Sequence, residues 1–397
     1  ASVFAAATFA VIMNSSIRRW LSRRVRGRIL SIQPSSLRIT CRSGMSRSSV
    51  PRLSLARAKA AKGEISAEAL RQEEDRCINE VVTLQQDIGL QGITDGEFRR
   101  TWWHFDFLSG FDGFELGEPL DKGTFQGSDE QPPRAMINGK LARSKPVMVD
   151  HFAYLNSQTE RVAKFTVPGP SMAHFRAGRE GISEDVYPDL AEFWSDLTAC
   201  YRAELADLAG NGCRYLQLDD ISYAYLCDDD IRANLKSRGD DADDLALTYA
   251  QALNDAIRDL PGDVTTAMHM CRGNFQSTWA AQGGYEPVAE RVFNTVNINA
   301  LFMEYDSERA GGFEPLRFVP DDKFVVLGLV TTKTPQLESK DTLKRRIDEA
   351  AQYVDLDRLC LSPQCGFSST HHGNKITVDD QIAKLRLVAE VADDVWG

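Results

Sequence analysis

Residues 1–63 of this 397-residue chain contain no aspartate or glutamate, and the first acid is Glu64. The tract is rich in Arg and Ser, with Arg18-Arg19 and the cluster Arg23-Arg24-Val25-Arg26-Gly27-Arg28 following an apolar start, Ala1 to Met13. That composition argues against a folded domain and suits an organelle transit peptide, a disordered or artefactual leader, or a basic nucleic-acid arm. The apolar block precedes the charges, the reverse of a secretory signal. We therefore expect residues 1–55 to be a leader distinct from the body. No apolar stretch reaches the roughly 18 residues of a spanning helix, so no membrane partner is expected. No Gly-x-Gly-x-x-Gly follows an early strand, which removes the dinucleotide fold. The eight cysteines are scattered too thinly for a disulfide scaffold, which points to a reducing compartment. We expect a cytoplasmic protein, imported into an organelle only if the leader is a genuine transit peptide. A net charge of -11 argues against a nucleic-acid partner.

Beyond Glu64 the pattern becomes regular. A helix is predicted from Ser66 to Asp87, capped by Ser66, with apolar positions at 70, 77, 81 and 84. Ile93 to Glu97 reads as a short strand and turn. A hairpin is expected near 135–149, with its turn at Asn138-Gly139, as an insertion covering one end of the fold. Strands follow at 164–167, 215–218, 264–268, 300–303, 324–330 and 359–361, with helical stretches at 189–208, 244–260 and 340–353 among them. Such βα alternation implies a parallel sheet, and polar motifs gathered after the strands favour a closed barrel over an open sheet. The expected fold is α/β: a (βα)8 TIM-type barrel spanning residues 56–397, with a small hairpin insertion after strand 2.

Three apolar runs end in metal-ligating residue types: Val264 to Cys271, Ala300 to Asp306 and Leu359 to Cys365. His269 and Cys271 lie two apart, so both side chains point to one face of a strand. Together with Glu304 and Cys365 they read as a Zn2+ site, and a thiolate-rich zinc site open to a substrate sulfur would make that sulfur nucleophilic at neutral pH. That chemistry is alkyl transfer to a thiol. The bland alternative is that these are core thiols and a satisfied core histidine. Glu97, in Thr94-Asp95-Gly96-Glu97-Phe98-Arg99-Arg100, follows a strand and can hold a substrate ammonium, or can sit in a solvated turn. Of the adjacent pair Asp219-Asp220 only one faces the site; Asp219 is assigned to the substrate amine and Asp220 to capping a helix. Trp102 and Trp103, with Phe105, form a pocket wall or part of the core. The turn Pro168-Gly169-Pro170 can shape a wall, whereas His371-His372 read as a solvated loop.

Five ordered blocks resemble the cobalamin-independent methionine synthase superfamily, specifically its short single-barrel members: Thr94 to Leu108, Tyr215 to Asp220, Met268 to Asn274, Gly283 to Glu290 and Leu359 to Ser369. The resemblance runs from about residue 55 to the C-terminus. It implies a (βα)8 barrel of the UROD/MetE-like kind and a zinc-dependent methyltransferase of methionine (amino-acid) biosynthesis, which transfers a methyl group to the thiol of homocysteine. It implies His269, Cys271, Glu304 and Cys365 as zinc ligands, and Glu97 and Asp219 as holders of the homocysteine amino group. The methyl donor is methyl-folate or similar, and methylcobalamin or a small methyl-sulfur compound stays open. Alternatives are an alkyltransferase acting on another thiol such as coenzyme M, or an inactive zinc-binding homologue. The chain departs from the family in three ways. Ser46 to Leu55 lacks the Gly-Ser turn and Arg-Pro that end the first strand, so that strand is expected to be missing or replaced, leaving an open seam. Lys333 stands where the long enzymes carry an acidic His, and can act as a catalytic acid if burial lowers its pKa, or bind an anionic substrate. The extra N-terminal domain of the long enzymes is not recognisable.

Overall fold

The computed structural model describes residues 49–118, 133–368 and 373–397. The expected leader up to residue 48 and His371-His372 lie outside the described residues. Helix α1 (Ser49–Ala61) crosses residue 55, where the boundary of the body was expected. It packs on α2 (Ala67–Ile88) by burying Leu53 and pairing Arg57 with Glu74 at 3.8 Å. Part of the stretch where a first strand was sought is therefore helical, since its apolar residue has a helix to pack against.

Helix α2 begins where Ser66 accepts from the Ala69 amide (3.1 Å) and ends at Gly89, whose φ of 100° is left-handed. Its core face is Cys77, Ile78, Val81, Val82 and Gln85. The Gln85 side chain acts as a surrogate peptide: its amide donates to Thr94 O (2.8 Å) and accepts from Thr94 N (3.0 Å). This clamp fixes the turn that follows β1 (Gly92–Ile93).

Seven strands form one curled parallel sheet in the order β1-β4-β5-β6-β7-β8-β9. Its members after β1 are β4 (Val162–Pro168), β5 (Tyr215–Asp219), β6 (Thr265–Met270), β7 (Ala300–Glu304), β8 (Phe324–Val330) and β9 (Leu359–Pro363). An eighth strand of the expected barrel is not among the described residues. The crossovers include α3 (Val149–Gln158), α4 (Leu190–Gly210), α5 (Asp229–Ser237), α6 (Ala242–Ile257), α7 (Glu286–Thr295) and α8 (Lys340–Ala350), and α9 (Val378–Trp396) closes the chain. Buried on both faces, the strands are nearly continuous apolar runs, as a helix-covered parallel sheet requires. No described helix is long and apolar enough to cross a membrane.

Strand register decides which side chains meet at the carboxyl edge of the sheet. Pro168 pairs with Asp219, Asp219 with His269, Met270 with Met303, and Glu304 with Gly328. The carboxyl ends of neighbouring strands thus lie level, and the residues just past them share one rim.

The insertion is a two-stranded antiparallel ribbon, β2 (Asp112–Gly117) with β3 (Arg134–Ala142). Asn138-Gly139 is not its turn, as expected from the dipeptide, but lies inside β3. The glycine serves a close approach instead: the pairing shifts register between Asp112 and Phe114, and a Cβ on Gly113 would stand 2.5 Å from Gly139 O. Gly113 also holds a φ of 81°. Gly113→Ala is expected to cost about 1–3 kcal/mol through a forced positive φ and this clash. A denaturant midpoint equal to that of the parent chain would show that the ribbon adds nothing to global stability.

Candidate metal centre

At the carboxyl end of β6 and just past β9, the chain delivers His269, Cys271 and Cys365 to one point. One ligand atom from each lies within 4.8 Å of the others, and all three residues are buried. The two sulfurs are 3.4 Å apart, with Cys271 donating to Cys365, and both remain thiols rather than a disulfide. The alternation of β6 puts His269 and Cys271 on one face, and the level register brings β9 to the same height. Two thiols and an imidazole in a buried triangle form a donor set that fits zinc. Hydrogen bonding to Cys365, burial and the charge of Glu304 push the Cys271 thiol well above its ordinary pKa. A divalent cation is the natural replacement for the protons so retained.

His269 is oriented on both sides. Its Nε2 lies 3.1 Å from the Gln364 carbonyl and its Nδ1 3.6 Å from Asp219. Burial opposes charge on the ring, but the hydrogen-bonded Asp219 carboxylate and its neighbours outweigh it, and the pKa is raised. Asp219 itself accepts from Gln217 Nε2 at 2.6 Å. A carboxylate behind a histidine is the usual way of fixing a ligating imidazole. Asp220 faces away, accepting from Ser171 Oγ (2.7 Å) and from the amide of Ser222 (3.0 Å), the first residue of a helical turn. Gly169 is needed beside it, since a Cβ there would stand 2.4 Å from Asp220 Oδ2.

Glu304, expected as a fourth ligand, is not part of the triangle. Its oxygens are engaged by cations and an amide: Oε2 accepts from the Arg272 amide (2.8 Å), and Oε1 from Arg309 (2.5 Å) and Lys333 (3.3 Å). Burial would raise its pKa, but Lys333, Arg309 and Arg272 together lower it far below the carboxylate range. Lys333 also reaches Asp306 at 3.6 Å. Burial alone would lower its pKa; Glu304 and Asp306 reverse the sign and raise it. The lowering expected from burial is thus outweighed by the two carboxylates that face Lys333.

Glu97 occupies the turn after β1 with a φ of 55°, uncommon for any residue but glycine or asparagine. Asp95 accepts from its amide at 2.9 Å. Its Oε1 is buried without a hydrogen bond, although Arg100 Nη1 stands 3.4 Å away in unfavourable alignment. Burial first, and then Asp219, Asp95 and Cys365 against the opposing Arg100, push its pKa to about 8. Trp102 and Trp103 are half-buried in the same loop; Trp102 meets Phe105 edge-on at 6.2 Å and the Trp103 ring lies tilted against His104 at 4.5 Å.

Sequence reasoning missed three cations. Arg272, fully buried, donates to Tyr285 Oη (2.9 Å), Glu304 O (3.1 Å) and Gly283 O (3.0 Å). Arg309 follows Glu304 by five positions, where nothing in the spacing marks it. Lys164 was legible, as the one charge inside the apolar run Val162–Pro168. Its Nζ lies over the Phe302 ring at 4.2 Å, and burial, opposed by Asp219, brings its pKa down to about 7.

The model of the cobalamin-independent synthase catalytic domain matches residues 49–394. The uncharacterized protein YxjH of Bacillus subtilis is 44% identical over 343 residues, 86% of this chain and 90% of that protein. A Listeria monocytogenes structure, assigned provisionally as a vitamin-B12-independent methionine synthase, matches with a TM-score of 0.70 and 35% identity, covering 89% of this chain and 96% of that one. The 5-methyltetrahydropteroyltriglutamate–homocysteine methyltransferase of Bifidobacterium longum subsp. infantis is 24% identical over 79% of this chain, which spans only 38% of that enzyme.

The environment of Glu97 sets a pH dependence. Its pKa rises from 4.5 to about 8, so between these values the folded chain holds a proton that the unfolded chain releases. Stability therefore falls as pH rises through that window, and the loss is complete above it. Glu97→Gln lacks this proton. In the metal-free protein its stability relative to the parent is expected to improve from pH 5 to 9 by an amount on the order of a few kcal/mol. Parallel stability curves for the two chains would contradict the buried, protonated state.

Proposed function

Since this chain belongs to the cobalamin-independent methionine synthase superfamily, we propose that it is a zinc-dependent methyltransferase that carries a methyl group to the thiol of homocysteine, giving methionine. The observation that carries the reading is the buried triangle of His269, Cys271 and Cys365, with ligand atoms within 4.8 Å. A zinc ion held by these three residues supplies a lowered pKa to an added substrate thiol, which then reacts as thiolate.

The protein's own groups do the rest by position. Asp219 holds the His269 ring from behind. Glu97 presents a buried oxygen without a hydrogen bond, and a substrate ammonium brought against it supplies the missing donor and draws the carboxyl into its charged form. Asp219 lies on the same side and adds to the pull on a cation. The amino group so held aims the sulfur at the donor methyl, a gain of orientation rather than of charge. Carbon–sulfur bond formation is matched by departure of the donor's leaving group with its electron pair. Lys333 and Arg309 hold Glu304 and Asp306 in place, so this charged wall keeps its geometry as substrate charges come and go. Methyl-folate or a similar compound is the donor we favour.

Zinc content and zinc-edge X-ray absorption on the full chain test the reading. One zinc per chain is expected, with a further sulfur neighbour after homocysteine is added. Cys365→Ser is expected to lose zinc and methyl transfer together. Full zinc occupancy with undiminished transfer in that variant would remove Cys365 from the site, and a zinc-free parent protein would sink the proposal.

A further inference from the structure

The turn that carries Cys365 is gripped on both sides by side chains from other loops. Gln364 and Gly366 flank the cysteine. Gln364 Oε1 accepts from the amide of Thr332 (2.9 Å) and from its hydroxyl (2.7 Å), and Gly366 O accepts from Asn274 Nδ2 (2.9 Å). The same Asn274 amide also donates to Thr332 Oγ1 at 3.3 Å. A ring is thereby closed: from Thr332 to Gln364, along the chain through Cys365 to Gly366, and back by Asn274 to Thr332. Asn274 follows Cys271 by three residues and Thr332 lies just past β8, so the ring joins the loops that leave β6, β8 and β9.

Thr332 is the hub of this ring. It is fully buried, and its carbonyl is engaged as well, accepting from Asn374 Nδ2 at 2.9 Å, while Asn374 Oδ1 accepts from the Ser277 amide of the β6 loop at 3.2 Å. Gln364 passes the constraint to the metal ligands in two ways. Its own carbonyl lies 3.1 Å from His269 Nε2, and the next residue along the chain is Cys365. Strand β8 makes room for the turn: a Cβ on Gly328 would stand 2.7 Å from Gln364 Cα. Stability alone does not call for such a network. Gln364 Nε2 and Asn274 Oδ1 are buried with no hydrogen-bond partner, and a polar network with open ends stabilises less than apolar packing in its place.

We propose that Thr332 and Asn274 are positioning residues of the metal centre. They hold the Cys365 turn against the Cys271 loop, set the two sulfurs at their 3.4 Å separation and keep the Gln364 carbonyl on His269. The donor set is thus arranged before a metal arrives. The part that concerns zinc rests on the reading of the triangle given under the proposed function; the hold on the thiols needs no metal. Groups that orient metal ligands without touching the metal typically change its affinity by about 10–100-fold.

Two readouts on the full chain test this. Zinc affinity, measured by competition with a chelator, is expected to fall about 10–100-fold in Thr332→Val, which keeps the shape and loses the hydroxyl, and to return in Thr332→Ser. Asn274→Ala is expected to fall likewise, and the double variant to lose no more than the larger single loss, because both substitutions cut one ring. In the metal-free chain, equilibration with glutathione reads the thiols directly. The ratio of the Cys271–Cys365 disulfide to glutathione mixed disulfide rises with the proximity of the two sulfurs, and it is expected to fall severalfold in Thr332→Val and in Asn274→Ala. Gly113→Ala, in the ribbon, controls for lost stability and is expected to leave both readouts at their parent values. If Thr332→Val does not fold, Asn274→Ala decides by the same two measurements. Parent-like zinc affinity and disulfide ratio in these variants overturn the assignment, and so does a Thr332→Ser chain that binds zinc no better than Thr332→Val. Lost zinc affinity with an unchanged disulfide ratio overturns the hold on the thiols. A parent that binds no zinc contradicts the metal centre and the methyl-transfer reading with it; a disulfide ratio that still falls in the variants then leaves the hold on the thiols standing, and an unchanged one overturns that too.

Discussion

A carboxylate with no exposed surface sits at the carboxyl end of β7, and the rim is organised around neutralising it. Glu304 draws the Arg272 amide, Arg309 and Lys333 onto its two oxygens. Removing one member of so buried a set typically costs about 3–5 kcal/mol, because the remaining charge is left without compensation. Each partner in turn fixes a loop. Arg272 ties the β6 loop to Gly283 and Tyr285, and Tyr285 Oη bonds the strand ends through Met270 O and Glu304 N, both at 2.9 Å. Arg309 and Lys333 tie the loops past β7 and β8 to Asp306. The thiol triangle stands on this scaffold.

Across the rim the balance is reversed. On one side Glu304 is overcompensated by cations, and on the other Glu97 is buried with one imperfectly aligned Arg and other acidic groups nearby. A zwitterionic substrate is suited to such a gradient, since its ammonium finds charge deficit on the Glu97 side. Lys164 beneath Asp219, over the Phe302 ring, moderates that acidity from inside the sheet. The arrangement concentrates opposite fields within one low-dielectric mouth, where each counts for more than it would in water.

Much of this architecture is legible in the order of the residues. The six strands expected beyond residue 160 are all present, because two-sided burial forces short, largely apolar runs bounded by polar turns. The Ser66 cap and Gly89 stop of α2 are equally plain. Less visible are features that depend on approach between distant segments. Asn138-Gly139 has the composition of a turn, but Gly113 arriving on the neighbouring strand makes it a bulge partner. Ser49–Ala61 is helical because α2 offers a surface for Leu53.

For the metal centre, the ligand types and the two-residue spacing of His269 and Cys271 were enough to put both on one face of a strand, since strand alternation is a local rule. The sequence alone also placed Cys365 and Glu304 at the ends of apolar strands of one sheet, and the structure sets β8 between those two strands. Only the tertiary structure decided that Cys365 meets the pair while Glu304 turns to Arg309, Lys333 and the Arg272 amide. It likewise decided that Glu304 and Asp306 make Lys333 more basic in spite of its burial, and that burial makes Glu97 less acidic. The reason is physical: propensity and periodicity act over a few residues, whereas the charge state of a buried group is a sum over everything the fold brings near it.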